Sequence, residues 1–385
     1  MKERSKPCIV VIYNRDFEGA EADPENKARE DIKDIADNIV AILQRAGYEA
    51  SGVGVTDDVS AALAELKRRG ATAVFNLCES IHGDNRFESL LPLLLDLQGI
   101  SYTGSDPFAL SLALRKDKVK EVLRARGVST AAGLLVTQAD ISGVSLKFPL
   151  IVKPVREDAS VGISSASVVH GRDALAARVR HVIEHYRQSA LVEEFVDGRE
   201  IYVSMLGRVG ERPQTFPFFE IDFSDMPADR PKIVSFEGKW VEHSVEFRGT
   251  RPVRCEGLTP ALRARLAETA LASFEAIELR DYARVDIRLT PDGTPFVIDV
   301  NPNCDLSDLA GGFSKAAKAG GLSYDEVILR LVELALSRRP DADQIPLPER
   351  PRAPRPPHRA TGRQPLPAGR GVVRARAPRG GAGTV

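Results

Sequence analysis

Apolar residues in the first hundred positions alternate between unbroken runs and repeats at helical spacing. The runs at 8–13 (CIVVIY) and 72–77 (TAVFNL) predict two buried strands. The repeat at 31–47 predicts an amphipathic helix that stops at Gly47, and the stretch at 87–99 predicts a second helix. Uninterrupted apolar strands that alternate with helices are typical of a parallel sheet covered on both faces. The pattern therefore predicts an α/β unit at the start of the chain.

The pattern changes in the middle of the chain, where the apolar runs are shorter. They predict strands at 148–154, 163–170 and 190–196, and an amphipathic helix at 173–186. A third section is predicted to contain a strand at 200–210, a helix at 261–279, a hairpin at 282–301 and a last helix at 324–337. These changes divide the chain into four predicted segments, 1–118, 119–196, 197–340 and 341–385.

The last of these segments differs from the rest in composition. From Arg350 onward there are nine arginines and no acidic residue, which leaves 44 basic and 54 acidic residues in the rest of the chain. A segment rich in Pro, Gly and Arg and poor in apolar residues cannot bury a core, so we expect disorder there. A polyanion-binding arm is the alternative, but the tail has no interleaved aromatic residues. No nucleic-acid partner is therefore expected.

Composition also constrains the compartment. The chain is 43% hydrophobic and 28% charged, as soluble globular proteins are. No apolar run approaches the roughly 20 residues that cross a bilayer, so no membrane partner is expected, and the first residues are typical of a strand rather than a signal peptide. The four cysteines lie far apart in sequence, which favours a reducing cytoplasm and disfavours a zinc site.

The most informative segment is the hairpin at 284–301, which contains a Pro-Asp-Gly-Thr turn. If the hairpin closes at Asp-Gly, Asp286 faces Asp299 and Arg284 faces Asn301. By the period of two, apolar residues then fill the opposite face. These apolar residues are Val285, Ile287, Leu289, Phe296, Ile298 and Val300. The sequence thus predicts one core face and one face with opposed carboxylates.

Opposed carboxylates on a sheet require a compensating charge. Two like charges directly across a sheet are destabilising, and a divalent cation removes that cost. Asp286, Asp299 and Asn301 all offer oxygen ligands, which favours Mg²⁺ or Mn²⁺ over zinc. The alternative is a solvated face on which Arg284 and Arg288 neutralise the acids.

Two further segments have the composition of phosphate or nucleotide contacts. Lys153 ends an apolar strand, and the loop at 156–165 follows with small residues that allow backbone N–H groups to approach an anion. In the segment 190–200, acids surround an apolar strand and a glycine turn, an arrangement that suits a purine and its ribose. The alternatives are a solvated lysine, an ordinary turn and an exposed acidic edge.

Taken together in chain order, these segments resemble the ATP-grasp superfamily, and within it the D-alanine–D-alanine ligase-like branch. The matching segments are 76–106 (NLCESIHGD…LLLDLQGISYTGSD), 113–118 (ALRKDK), 148–154 (FPLIVKP), 158–164 (DASVGIS), 191–200 (LVEEFVDGRE), 236–240 (FEGKW), 282–289 (YARVDIRL) and 296–303 (FVIDVNPN). The resemblance implies an α/β chain, with an N-terminal Rossmann-like parallel sheet followed by a two-part ATP-grasp fold of α+β character. It also implies a homodimer.

The resemblance assigns the nucleotide to three groups of residues. The ATP phosphates would contact Lys118, Lys153 and Lys239. The lid over those phosphates would be formed by Ser160, Val161 and Gly162. Adenine would contact Glu193 and the backbone of Glu194 and Val196, beside Phe195. The ribose would contact Glu200.

The resemblance also assigns the chemistry. Two Mg²⁺ ions, or Mn²⁺, would be bound by Asp286, Asp299 and Asn301. Arg284 would face the reacting acyl group. Lys239, Ser160 and Gly162 would complete the catalytic set with Arg284.

Departures from the family pattern concern the substrate. The first loop, at 13–23, lacks the Gly-Gly-x-Ser-x-Glu pattern whose acid binds the amine of the first D-alanine. Asp158-Ala159 replaces the usual Gly-Ser, and Asp299 replaces the commoner Glu. The segment 302–313 replaces the Pro-Gly turn and serine-rich stretch that bind D-alanine. These differences favour a substrate other than D-alanine.

The sequence therefore predicts an ATP-dependent, ADP-forming ligase. It would join a small, amino-acid-like carboxylate to an amine through an acyl phosphate, making an amide or dipeptide-like bond. One alternative is D-alanine–D-alanine ligase itself, and the other is a phosphotransferase or a nucleotide-binding protein without ligase turnover. His82 is a weak candidate for the base, with an ordinary loop histidine as the alternative.

Overall fold

The computed structural model describes residues 7–15, 32–208 and 210–338, all within one contact-defined unit. The predicted tail at 341–385 lies outside these residues, as does most of the loop at 13–23. Three sheets follow one another along the described chain, and each lies within one of the first three predicted segments. The segment boundaries themselves stay predictions.

The first sheet has four parallel strands in the order β2-β1-β3-β4, which confirms the predicted parallel sheet. Its strands are β1 (Cys8–Asn14), β2 (Glu49–Val55), β3 (Ala73–Leu77) and β4 (Ser101–Tyr102). The accompanying helices are α1 (Ile32–Arg45), α2 (Val59–Arg69), α3 (Leu90–Gln98) and α4 (Pro107–Ala113), with a 3₁₀ turn at Asn85–Phe87. The pattern did not predict β2 and α2, because β2 is an edge strand whose serine and glycines interrupt the apolar run.

The second sheet is antiparallel, in the order β5-β8-β6-β7. Its strands are β5 (Gly133–Val136), β6 (Leu150–Pro154), β7 (Val168–Val169) and β8 (Ala190–Glu194). Helix α5 (Lys116–Ala125) precedes the sheet, and α6 (Arg172–Tyr186) packs on it. The strand predicted at 163–170 is wrong for most of its length. A 3₁₀ turn occupies Ser165–Ser167, because Ser164 and Ser167 exchange side-chain and backbone hydrogen bonds in a capping box.

The third sheet is the largest, with the order β12-β11-β9-β13-β14 and β10 paired to β9. Its strands are β9 (Arg199–Gly207), β10 (Gln214–Thr215), β11 (Phe219–Asp222), β12 (Arg251–Arg254), β13 (Asp281–Leu289) and β14 (Pro295–Asn301). The helices of this part are α7 (Phe236–Trp240), α8 (Val245–Arg248), α9 (Pro260–Ala276), α10 (Gly312–Ala319) and α11 (Tyr324–Ser337). The predicted hairpin is therefore β13 and β14, at one edge of this sheet.

The register of β13 and β14 agrees with the prediction only at the site end of the hairpin. Asp286 lies opposite Asp299, as the spacing predicts. A bulge after Asp286 then shifts the pairing by one residue, so that Ile287 pairs with Val297. As a result Val297 is 1% exposed in the core, whereas Ile298, predicted to be in the core, lines the cleft described below.

The first and last parts of the described chain share one hydrophobic core. Helix α11 packs against α1, β3 and β4 of the first sheet. Its Ile328 and Leu331 belong to the same buried cluster as Ile39 and Phe75. The last helix thus covers the first sheet, and the first segment is not an independent core.

Candidate active site

A cleft of about 620 Å³ is lined by residues from all three sheets. Its lining includes every predicted site residue except Lys118 and Gly162. Gly162 lies between the lining residues Val161 and Ile163, whereas Lys118 lies elsewhere. One cavity therefore brings together residues that are up to 301 positions apart in sequence, from Asn14 to Lys315.

The site ends of β13 and β14 present two acids and an amide to this cleft. Asn301 Nδ2 lies 3.3 Å from Asp286 Oδ2. Arg284 donates Nε and Nη2 to the two oxygens of Asp286 at 2.7 and 2.9 Å. Lys116 Nζ donates to both oxygens of Asp299 at 2.9 and 3.1 Å. Each acid thus has its own cation, and the hairpin face lies in a cleft rather than in open solvent.

Burial and neighbouring charges affect the two acids in opposite directions. Burial raises the pKa of Asp286 above its ordinary value, although the Arg284 guanidinium opposes that shift. Burial also disfavours the charge on Asp299, but the Lys116 and Lys153 ammonium groups outweigh it and lower the pKa of that carboxyl. Asp299 is therefore the acid more firmly held as a carboxylate.

The donor set suits a hard divalent cation. Asp286, Asp299 and Asn301 supply oxygen atoms from adjacent strands, and Mg²⁺ prefers such ligands with its other positions filled by water or phosphate. The parts of the chain that the structure describes contain no group of three or more His, Cys, Asp and Glu residues placed to bind a metal. A cation here would therefore rely on the Asn301 amide, water or phosphate for its remaining ligands.

The structure corrects the first phosphate lysine. Lys118 has a side chain that is 49% exposed, and its ammonium pairs with Glu121 one turn along α5. Lys116 has a side chain that is 8% exposed, and its ammonium reaches Asp158 at 2.9 Å as well as Asp299. Residues two apart on a helix point to different sides, so Lys116 and not Lys118 faces the cleft.

Glu193 is held between two lysines. Its carboxyl is 2% exposed and lies 2.5 Å from Lys120 Nζ and 2.6 Å from Lys153 Nζ. This carboxyl thus positions Lys153 and Lys120, and its predicted contact with adenine stays a prediction. The neighbouring residues Glu194, Phe195 and Val196 line the cleft as predicted.

The lid loop at 156–165 is anchored to the segment around α7. Ser160 Oγ donates to the Val234 carbonyl at 2.9 Å, and Trp240 Nε1 donates to the Ala159 carbonyl at 2.9 Å. Gly162 has φ +72°, and a Cβ there would lie 2.5 Å from the Pro154 side chain. The loop is thus a fixed turn whose tightest position requires glycine.

Two cations of the cleft lining, Lys239 and Arg284, are close enough for the charge of one to affect the other. Lys239 Nζ lies 4.9 Å above the Trp240 ring, and burial together with the charge of Arg284 lowers the pKa of Lys239. The Arg284 guanidinium lies 4.6 Å above the Tyr202 ring while it binds Asp286. These cations are placed to attract an anion into a desolvated pocket.

Glu200 lines the cleft but already has two protein partners. Arg288 Nη2 lies 2.7 Å from one of its oxygens, and Tyr202 Oη donates to the other at 2.9 Å. Both members of the ion pair have side chains less than 10% exposed. A ribose hydroxyl would therefore bind a carboxylate that is already oriented, rather than a free one.

Sequence reasoning missed Lys116, Lys120 and Asp158. The two lysines are one helical turn apart, on the same face of α5 as the buried Val119 and Leu123. That i, i+4 pattern could have distinguished them from Lys118. His82, the weak candidate base, is 59% exposed at its side chain, pairs with Asp57 and is absent from the cleft lining.

Comparison with known proteins identifies relatives along most of the chain. Residues 133–333 match the family model described as the D-ala D-ala ligase C-terminus. D-alanine–D-alanine ligase A of Mesorhizobium japonicum is 31% identical over 67% of this chain and 70% of its own length. The D-alanine–D-alanine ligase of Xylella fastidiosa is 28% identical over 78% of this chain and 92% of its own length.

Solved structures agree on the fold. The D-alanine–D-alanine ligase of Bacillus anthracis complexed with ATP has a TM-score of 0.64 at 22% identity, covering 86% of this chain and 98% of that one. The enzyme from Coxiella burnetii has a TM-score of 0.63. In the part of the chain that the structure describes, every helix is too short or too polar to cross a bilayer.

Proposed function

Since the chain belongs to the D-alanine–D-alanine ligase family of ATP-grasp proteins, we propose that its cleft activates a small amino-acid-like carboxylate with ATP and joins it to an amine. The chain is an ATP-dependent, ADP-forming ligase that forms a carbon–nitrogen bond. The proposal concerns which residues do this work and which molecules they join.

The opposed acids of the hairpin carry the proposal. Asp286 and Asp299 lie across from each other in the same cleft as Lys116, Lys153 and Lys239. Acids that face each other beside cations, with an amide next to them, suit a phosphate chain and its metal ions better than they suit a structural ion pair.

We assign the metal ligands to Asp286, Asp299 and Asn301, as predicted, and the ions to Mg²⁺ with Mn²⁺ as a substitute. When bound, such ions neutralise phosphate charge so that an acid anion can approach the terminal phosphoryl group. Arg284 is paired with Asp286, and Lys116 is paired with Asp299. When the two acids bind a cation instead, both basic side chains become available to substrate anions.

The lysines and the lid hold the nucleotide. Lys116 replaces Lys118 as the phosphate ligand from α5, and it acts with Lys153 and Lys239. Repulsion between an acid anion and a phosphate is about 4 kcal/mol per unit charge pair at 4 Å and an effective dielectric near 20. Fixed cations in a desolvated cleft offset that repulsion without reorganising. The lid loop around Ser160, Val161 and Gly162 covers the phosphates.

Arg284 and Lys239 act on the acid substrate. Both cations lie at the acyl end of the cleft, where an oxyanion would develop when the amine attacks the acyl phosphate. Stabilising such a developing charge is commonly the largest single contribution to catalysis. Adenine contacts the backbone of Glu194 and Val196 beside Phe195, and the ribose contacts Glu200; all four residues line the cleft.

The identities of the amine and acid substrates have two candidate assignments. D-alanine is the substrate named for the relatives, and this chain could make the same dipeptide. The segment 302–313 and the Asp158-Ala159 pair differ from the family pattern, which favours another amino-acid-like pair. A phosphotransferase on this scaffold would instead transfer phosphate to an alcohol.

Hydroxylamine trapping tests the ligase proposal. Incubation with ATP, Mg²⁺, hydroxylamine and single carboxylic acids should give a hydroxamate and one ADP per hydroxamate with a preferred acid. An alcohol kinase would release ADP only when an alcohol acceptor is added, and it would give no hydroxamate with any acid. Asp299→Ala should abolish both products, whereas Asp292→Ala in the exposed hairpin turn should not. Turnover that survives the Asp299 change would refute the metal assignment.

We also propose a cytoplasmic homodimer. All four cysteines are buried free thiols, which suits a reducing compartment. Leu93, Leu97 and Phe108 on α3 and α4 are more than half exposed, and a Ser111–Ser89 hydrogen bond joins the two helices. Analytical ultracentrifugation should find a dimer that Leu97→Glu dissociates.

A further inference from the structure

Two histidines lie one turn apart on the outer face of α6. His181 and His185 are both exposed, whereas Val179 and Val182 of the same helix are fully buried against the second sheet. The two imidazole rings are nearly parallel, with 10° between their planes and 5.2 Å between their centroids. Side chains four residues apart lie on the same face of a helix, so the spacing itself brings the rings together.

Rings this close to each other can bind one metal ion together. Zinc–imidazole bonds are about 2.0–2.1 Å long, so two ring nitrogens on one tetrahedral ion lie about 3.3 Å apart. The nitrogens lie off the ring centroids, and centroids 5.2 Å apart therefore allow that separation when the rings rotate. The segment 181–185 reads His-Val-Ile-Glu-His, and histidines at this spacing on a helix bind zinc in the H-E-x-x-H and H-x-x-E-H motifs.

Neither imidazole has a polar protein partner. Among the residues that the structure describes, no side chain or backbone group forms a hydrogen bond or an ion pair with His181 or His185, whereas His82 pairs with Asp57. Partial burial and the charges of Arg178 and His185 lower the pKa of His181. A neutral imidazole keeps the nitrogen lone pair that binds a metal ion.

The histidine pair lies next to the residue on which the lid turn packs. Tyr186 meets the His185 ring edge-on, with 4.7 Å between the ring centroids. A Cβ on Gly162 would lie 3.1 Å from Tyr186 Cζ, so the tyrosine ring lies directly against the lid. Arg178, on the same helix, donates Nη2 to the Gly162 carbonyl at 2.5 Å. An ion bound by His181 and His185 would therefore lie at the end of the helix that supports the lid.

We propose that His181 and His185 form a two-histidine site for one transition-metal ion of the Zn²⁺, Ni²⁺ and Cu²⁺ class. Imidazole nitrogens favour these ions, whereas the oxygen ligands of Asp286, Asp299 and Asn301 favour Mg²⁺. In the described parts of the chain no third His, Cys, Asp or Glu completes the site, so water fills the other positions. By joining successive turns, the ion stabilises the last turn of α6, on which the lid packs.

Zinc binding by the untagged full-length protein tests the site. Zinc chloride is titrated in competition with a chromophoric chelator and in excess Mg²⁺, so the probe is the metal ion alone. We expect His181→Asn and His185→Asn each to lower the affinity for Zn²⁺ about tenfold or more, because one remaining imidazole no longer chelates the ion. The double variant should lose little more than either single variant. With one equivalent of Cu²⁺, the electron paramagnetic resonance spectrum should show coupling to two ring nitrogens.

Two controls separate chelation from the mere presence of histidine. His82→Asn removes another exposed histidine and should leave the affinity for Zn²⁺ unchanged. Arg180→His combined with His181→Asn keeps two histidines on α6 but places them five residues apart, on different sides of the helix. This double change should bind Zn²⁺ as weakly as His181→Asn alone. All these positions are exposed, so the variants should unfold in urea at the wild-type midpoint when no metal is present.

The outcomes decide the proposal without any measurement of ligase turnover. Equal affinities in the wild type and the α6 variants would mean adventitious metal binding only, and the site would be refuted. An effect confined to one of the two histidines, or wild-type affinity in the five-residue variant, would also refute it. Bound Zn²⁺ should slow amide hydrogen exchange at residues 182–187 in the wild type but not in His185→Asn, and unchanged exchange would refute the effect on the end of α6.

Discussion

Removing the cleft lysine of α5 is the perturbation that most directly tests the site. Lys116→Ala deletes an ammonium whose side chain is 8% exposed and which binds Asp158 and both oxygens of Asp299. Lys118→Ala is a matched control on the same helix, since its side chain is 49% exposed and its ammonium pairs with the exposed Glu121. The two changes remove the same side chain from opposite sides of α5.

The expected sizes follow from burial. A hydrogen bond to a charged group contributes about 1.5–3 kcal/mol, so losing one phosphate contact should lower kcat/KM for ATP about 10- to 150-fold. For the free enzyme, losing one partner of a fully buried ion pair costs about 3–5 kcal/mol. Asp299 has a side chain that is 27% exposed and retains Lys153 nearby, so we expect about 1–3 kcal/mol of destabilisation. Exposed pairs such as that of Lys118 contribute less than about 1 kcal/mol.

Two measurements check these values. A coupled assay for ADP release, with the preferred acid and hydroxylamine, gives kcat/KM for ATP. Urea unfolding without ligands gives the loss of stability. If Lys118→Ala impairs ATP use as much as Lys116→Ala does, or if Lys116→Ala leaves it unchanged, then the placement of α5 in the cleft is wrong.

Three other changes have defined outcomes. Gly162→Ala should lower stability by more than 1 kcal/mol in urea titrations, because φ is +72° and the new Cβ would meet Pro154, whereas Gly143→Ala, with no atom within 4 Å of its Cβ, should be close to neutral. Arg288→Ala should cost about 3–5 kcal/mol of unfolding free energy, because it strands the buried Glu200 carboxylate, and partial recovery in a double variant with Glu200→Gln would establish the coupling. Burial opposes the charge on Glu193, but Lys120 and Lys153 outweigh it and lower its pKa, so its stabilising contribution is complete above the unfolded pKa of about 4.3 and is lost as pH falls through the lower folded value. Glu193→Gln should therefore be less stable at pH 7 and show a weaker loss of stability on acidification, and an unchanged pH profile would contradict the charge assignment.

Local patterns sufficed for the hairpin and the parallel sheet. The period of two and a single turn placed Asp286 opposite Asp299, because every constraint lay within one short segment. The bulge after Asp286 was not readable, since it depends on how β14 meets neighbouring elements such as Ser129, whose carbonyl accepts the Val297 N–H. The sequence thus placed the two opposed acids correctly but assigned Ile298 to the core, where Val297 lies instead.

Contacts between distant segments were beyond such patterns. Glu88 and Asn303 are 215 residues apart, and nothing in either local sequence indicates the other. Lys116 illustrates an intermediate case, because the helical spacing with Lys120 was present but three lysines at 116, 118 and 120 offered two competing faces. Which face of α5 is buried depends on the elements that pack against the helix, and a local sequence pattern does not specify those elements.

Two departures from the family pattern meet at one ammonium group. Asp158 replaces a glycine in the lid, and Asp299 replaces the commoner, longer glutamate on the hairpin. Lys116 binds both at 2.9 Å. A shorter acid on the strand leaves Lys116 a position between the strand and the lid, and an acid in the lid supplies the second negative charge that stabilises a buried ammonium there. The two replacements are therefore one electrostatic arrangement, which links the lid to the hairpin acid Asp299 through Lys116.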